Sequence, residues 1–148
     1  MTEITVLTFK RVIKINPEIQ NLIPSSIEHW GILVNFERNT KLLYHADKTS
    51  LIDNSTSYIE PEEQPWSLNS DNKVHHRVLV GYSTNLIPKD MNGICQKVSK
   101  NRKFNTLTNN CQEWVKSCLI ELVNDGKISP LCLEQLKENN EIIPLLGW

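Results

Sequence analysis

His29-Trp30-Gly31-Ile32-Leu33-Val34-Asn35-Phe36-Glu37-Arg38-Asn39-Thr40-Lys41-Leu42-Leu43-Tyr44-His45-Ala46 is the stretch that decides how this chain is built. Two apolar runs, Trp30 to Phe36 and Lys41 to Ala46, flank the polar residues Glu37 to Thr40. A four-residue loop of this kind joins antiparallel strands, so the stretch predicts a β-hairpin. His29 opens the first strand and His45 ends the second. Two imidazoles on one hairpin can lie close enough for one to orient the other.

Upstream, residues Ile4 to Ile15 are rich in β-branched and apolar side chains and read as an opening strand. Asn16 to Ser26, with Pro17, Pro24 and two serines, reads as a connection. Downstream, Asp47 to Lys73 is polar, acidic and interrupted by Pro61 and Pro65, which predicts a long surface loop that could serve as a lid. Val74 to Tyr82 alternates as a further strand, and its His75-His76 pair is expected to point to opposite faces. That orientation speaks against joint metal ligation and leaves the pair structural or exposed.

The second half changes period. Met91, Ile94, Cys95 and Val98 form the stripe of an amphipathic helix over Lys89 to Asn101. Phe104 to Asn110 reads as a turn into a second helix, whose buried stripe is Trp114, Val115, Cys118, Leu119 and Leu122. Asn124-Asp125-Gly126 is its stop signal. Ser129-Pro130 starts a third helix, with Ser as N-cap and Pro at the first helical position. Strands first and helices after predict an α+β fold, a small antiparallel sheet packed against helices in a single domain spanning 1–148. Trp30 and Trp114 are expected in its core.

Composition bounds the function. At 148 residues the chain is long enough to bury a core without covalent staples. A formal charge of −1 argues against nucleic acid or an anionic membrane as the main partner, because both demand a basic surface. The basic cluster Lys97, Lys100, Arg102 and Lys103 reads as a solvated helix face. The longest late apolar stretch, Ile142-Ile143-Pro144-Leu145-Leu146, is too short to span a bilayer, and the N-terminus lacks a signal-peptide layout. A cytoplasmic location, in the protein's own cell or a host cell, is the expectation.

Four cysteines, Cys95, Cys111, Cys118 and Cys132, are expected as free thiols in a reducing compartment. Cys111 and Cys118 lie about 10.5 Å apart along one helix at 1.5 Å per residue, too far for a bridge. No zinc-like Cys/His spacing is present, and no metal or organic cofactor is expected. Cys111 differs from the other three. Asn110 is placed to cap the helix and Glu113 follows three residues later, which puts Cys111 at the first helical position. There the dipole and unsatisfied N–H groups favour a thiolate and offer donors to an oxyanion. Asn109 and Gln112 are further, weaker candidates as oxyanion donors.

These two segments resemble a known superfamily. His29-Trp30-Gly31-Ile32-Leu33-Val34, followed by Leu43-Tyr44-His45-Ala46, is similar to the paired strands of lecithin:retinol acyltransferase-like proteins. Asn110-Cys111-Gln112-Glu113-Trp114-Val115 is similar to their nucleophile motif, and Leu107-Thr108-Asn109-Asn110-Cys111 equally resembles that of PPPDE-type isopeptidases. The resemblance implies a circularly permuted papain-like fold in which His precedes Cys. It implies Cys111 as nucleophile, His29 as general base and His45 as the residue orienting the imidazole. PPPDE-type enzymes need only a His–Cys dyad, so His45 leans toward the acyltransferase side.

The expected activity is that of a thiol hydrolase or acyltransferase working through a thioester at Cys111, with lipid acyl esters slightly favoured as substrates. An isopeptidase or deamidase acting on a protein or ubiquitin-like conjugate is the alternative. A catalytically inactive binding module is the third.

Overall fold

A computed structural model describes residues 1–9, 29–48, 59–66, 73–100 and 111–139, without the side chains of 47, 48, 59, 60, 62, 111 and 137–139. Among the described residues the fold is α+β, five strands followed by three helices. The strands are β1 (Thr2–Phe9), β2 (His29–Phe36), β3 (Thr40–Lys48), β4 (Ile59–Pro65) and β5 (Val74–Ser83). They form one antiparallel sheet in the order β4-β3-β2-β1-β5. The helices are α1 (Pro88–Ser99), α2 (Cys111–Asn124) and α3 (Pro130–Asn139).

Strand alternation sorts the sheet into two faces. Ile4 and Val6 of β1, Trp30, Ile32, Val34 and Phe36 of β2, and Tyr44 and Ala46 of β3 share the core with the helices. Met91, Ile94, Cys95 and Val98 of α1 and Trp114, Val115, Cys118, Leu119 and Leu122 of α2 supply the other half. Both helical stripes are the ones the periodicity predicts, and both tryptophans are fully buried. Burial of each such side chain stabilises the fold by about 1.5–3 kcal/mol, which is why packing rather than propensity holds these helices. The opposite face carries a smaller cluster, Leu7, Leu33 and Leu43, with Phe9, Trp66 and Val74 against it.

Helix ends obey local chemistry. Pro88 follows Ile87, the residue flanking α1, and the Asp90 carboxylate accepts the Ile87 N–H at 3.2 Å. Helix α2 ends in a Schellman motif, as Asn124-Asp125-Gly126 predicts. Gly126 has φ +70°, its N–H bonds Val123 O at 3.0 Å, and Lys127 N–H bonds Leu122 O at 2.9 Å. At α3, Ser129 Oγ accepts the Leu131 N–H at 3.2 Å, with Pro130 first in the helix. Helix α1 is tied to α2 by a buried bond from Trp114 Nε1–H to Ser99 Oγ, 2.8 Å long.

Three expectations need correction. The 47–73 region is not all loop, because β3 runs on to Lys48 and β4 occupies 59–65. Pro61 and Pro65 hide that strand from sequence reading. They are tolerated because β4 is an edge strand, where a missing N–H need not interrupt a ladder. The hairpin connection is a three-residue turn at Glu37–Asn39 rather than a four-residue loop, with Arg38 and Asn39 at φ 64° and 59°. The third correction concerns His75 and His76 and belongs to the site description below. The expected strand over 10–15, the connection 16–26, loop residues 49–58 and 67–72, and the turn 104–110 lie outside the described residues.

Candidate functional site

His29 is the first residue of β2 and His45 lies near the end of β3. In the β2–β3 register the residue facing His45 is Gly31, so His29 stands on the diagonal, two positions from direct opposition. Diagonal side chains meet only when long or flat. Here they do: His29 Nε2 and His45 Nδ1 are 2.9 Å apart. The rings are edge-on, with centroids 5.0 Å apart and planes at 89°, as an in-plane N–H meeting a lone pair requires. His45 is buried and His29 half-buried.

Gly31, which faces His45 across the hairpin, is closely packed. A Cβ there would lie 3.0 Å from Leu43 Cδ1, 3.3 Å from Tyr44 O and 3.5 Å from His45 Cβ. The glycine is therefore a requirement of close packing, a reason that sequence reading of the hairpin misses.

Both histidines sit at odd positions of their strands, with Leu33 and Leu43, on the face away from the helical core. Phe9, the direct register partner of His29, places its ring centroid 6.0 Å from that imidazole at 38°. Trp66, just beyond β4, lies 6.3 Å from Phe9 at 49°. Trp66, from beyond the end of β4, reaches across this face past β3 and β2 to Phe9 on β1. The imidazole pair thus stands in an apolar setting.

Helix α2 begins at Cys111 and packs on the other face, against β2 and β3. The Cys111 thiol lies outside the described side chains, and Asn109 and Asn110 lie outside the described residues. Gln112 is buried at the same helix start, and Glu113 is half-buried. Cys95 and Cys118 are buried and Cys132 is half-buried, and none of the three is in a disulfide. Of the three residues singled out for catalysis, the structure brings His29 and His45 together. For the third, Cys111, only the backbone at the start of α2 is described.

His75 and His76 do not point to opposite faces as alternation predicts. Their ring centroids are 4.0 Å apart with planes at 37°. Thr8 pairs with His76 and Phe9 with Val74, so His75 is the extra residue of a β-bulge. Alternation flips there, putting Val74 with Leu7 and Leu33 but Val78 with the helical core. The bulge is held by His76 N–H donating to Thr8 Oγ1 at 3.1 Å. Among the described residues no group of three or more His, Cys, Asp or Glu is placed to hold a metal ion. No helix among them is long and apolar enough to cross a membrane.

Comparison of the chain with protein-family profiles, curated proteins and solved structures finds no match.

Proposed function

We propose that the chain is a thiol-dependent acyl hydrolase or acyltransferase, with Cys111 as nucleophile, His29 as general base and His45 as the residue that orients it. The observation carrying this reading is the 2.9 Å contact between His29 Nε2 and His45 Nδ1. Two tautomer patterns satisfy that contact, and only one is useful. If His45 donates, the remaining proton of neutral His29 is on Nδ1, and His29 has no lone pair left with which to act as base. If His29 donates through Nε2–H, neutral His29 carries its lone pair on Nδ1. That nitrogen takes the thiol proton, and the resulting imidazolium is stabilised by the His45 Nδ1 acceptor.

The chemistry then follows acyl transfer. The Cys111 thiolate attacks an ester or amide carbonyl, and the oxyanion is met by N–H groups at the start of α2. Collapse of the tetrahedral intermediate expels the alcohol or amine, which takes the proton from His29. Water, or an acceptor nucleophile in its place, cleaves the thioester with His29 again as base. Because the imidazoles project from the face away from α2, the mechanism requires Cys111 to approach His29 at the end of β2. Both residues begin their elements, which suits that approach. The apolar neighbours Leu7, Leu33, Leu43, Phe9 and Trp66 favour an apolar acyl ester over an isopeptide or amide in a polar protein tail.

Alkylation by iodoacetamide across pH, with the modified residue mapped, tests the site. Cys132 is the fair internal reference, because Cys95 and Cys118 are buried. Cys111 should react fastest, and His29→Ala should slow it by about 10²-fold or more. His45→Ala should cost about 10–100-fold, while His45→Asn, which retains an acceptor, should lose less. Cys111 reacting no faster than Cys132, and indifferent to His29→Ala, would overturn the catalytic reading and leave a binding module. With the site upheld, short-chain and long-chain esters set against ubiquitin-like amide probes decide the substrate class, and Cys111→Ser must abolish turnover.

A further inference from the structure

We infer that Phe9 is a positioning residue for His29, fixing the imidazole in the plane from which Nε2 meets His45; the inference rests on the role proposed for that pair. His29 is half-buried at the start of its strand, where a ring has freedom to turn about both side-chain torsions. The hydrogen bond to His45 holds one edge of the ring. The second constraint comes from the other side. Phe9 faces His29 directly in the β1–β2 register, and its ring lies 6.0 Å from the imidazole at 38°.

Phe9 is itself held. Trp66 lies 6.3 Å from it at 49°, and Leu7, Leu33 and Leu43 form the apolar floor of the same face. The bulge at His75 falls between the partners of Thr8 and Phe9, which keeps Val74 on this face beside Phe9. His29 is thus gripped between an aromatic ring on β1 and an imidazole on β3. Phe9 touches no reacting atom. It acts through the His29 ring, by excluding orientations in which Nε2 turns away from His45 and by keeping water from competing for that bond.

The test reads the His29 ring itself. Long-range proton–nitrogen NMR spectra of the wild-type chain should show one His29 tautomer, protonated at Nε2. Phe9→Leu keeps the apolar volume but loses the flat face. It should mix the tautomers, shift the His29 titration midpoint and slow Cys111 alkylation about tenfold. Phe9→Tyr should restore all three to wild-type behaviour, which a purely volumetric role would not require. Trp66→Leu, at a position just beyond β4 rather than inside a paired strand, should move the same signals in the same direction by less. It decides the matter if Phe9→Leu fails to fold. A single tautomer with an unchanged midpoint in Phe9→Leu, or in Trp66→Leu where that variant decides, overturns the inference. The NMR signals do not depend on Cys111. An unreactive Cys111 in the wild type would therefore sink the catalytic reading while the Phe9 result still stood or fell alone.

Discussion

Gly31 is closely packed beside the imidazole pair. It faces His45 across the hairpin, and any side chain there would press on Leu43 Cδ1 at 3.0 Å and on the Tyr44 carbonyl oxygen at 3.3 Å. The leucine methyl can yield by a few tenths of an ångström, but the backbone oxygen has less room to move. Gly31→Ala should therefore lower stability by about 1–3 kcal/mol, measured by denaturant unfolding. It should also separate the His29 and His45 rings, seen as loss of the single His29 tautomer. An alanine variant with unchanged stability and an intact pair would show that the hairpin has slack the structure does not display. The histidines and the glycine are all plain in the sequence. What the sequence withholds is that they share one diagonal, because that depends on register.

Among the elements, α1 shows a sequence signal whose strength is set from outside the helix. Asp90 sits in its first turn and accepts the Ile87 N–H. That bond first, and the Lys127 ammonium at 3.2 Å second, hold its carboxyl below the usual carboxylate range. A carboxyl with a depressed folded-state pKa adds stability above its unfolded value of about 3.9, and that stability is lost as pH falls through the folded value. Thermal midpoints should therefore fall more steeply below about pH 4 in the wild type than in Asp90→Asn. Equal acid limbs would show that the carboxylate is not held in solution. The capping position is readable from Pro88 and Asp90, whereas Lys127 lies beyond α2 and is brought there only by the fold. Strands behave similarly. The apolar hairpin is legible, but β4, with two prolines and three glutamates, becomes a strand only because β3 offers it an unpaired edge.

For the whole molecule, the seam between sheet and helices can be probed at Tyr44. The phenol is buried between β3 and the helical core, and burial first, then the Glu63 carboxylate on β4, push its pKa well above the ordinary value. Its oxygen makes no hydrogen bond of good geometry among the described residues, although Glu63 is its register neighbour. The unfolded chain ionises this tyrosine near pH 10 while the folded chain resists, so stability falls as pH rises past about 10. Tyr44→Phe should flatten that alkaline loss in thermal scans between about pH 8 and 11, and change stability near neutrality by no more than about 1 kcal/mol. An alkaline limb identical in both proteins would place the phenol in contact with water.

The sequence by itself determined the α+β order of elements, the hairpin, the stripes of α1 and α2, the stop at Gly126 and the start at Ser129-Pro130. These follow from periods of 2 and 3.6 and from caps, which act between residues a few positions apart. It also named His29, His45 and Cys111 as chemistry-bearing residues. Only the tertiary structure decided that β5 lies beside β1, that a bulge turns His75 onto His76, and that Trp66 meets Phe9. Only it decided that His29 Nε2 lies 2.9 Å from His45 Nδ1. Each of these is a contact between residues distant in the chain, fixed by register and by the burial of two sheet faces at once. No local pattern encodes such a contact.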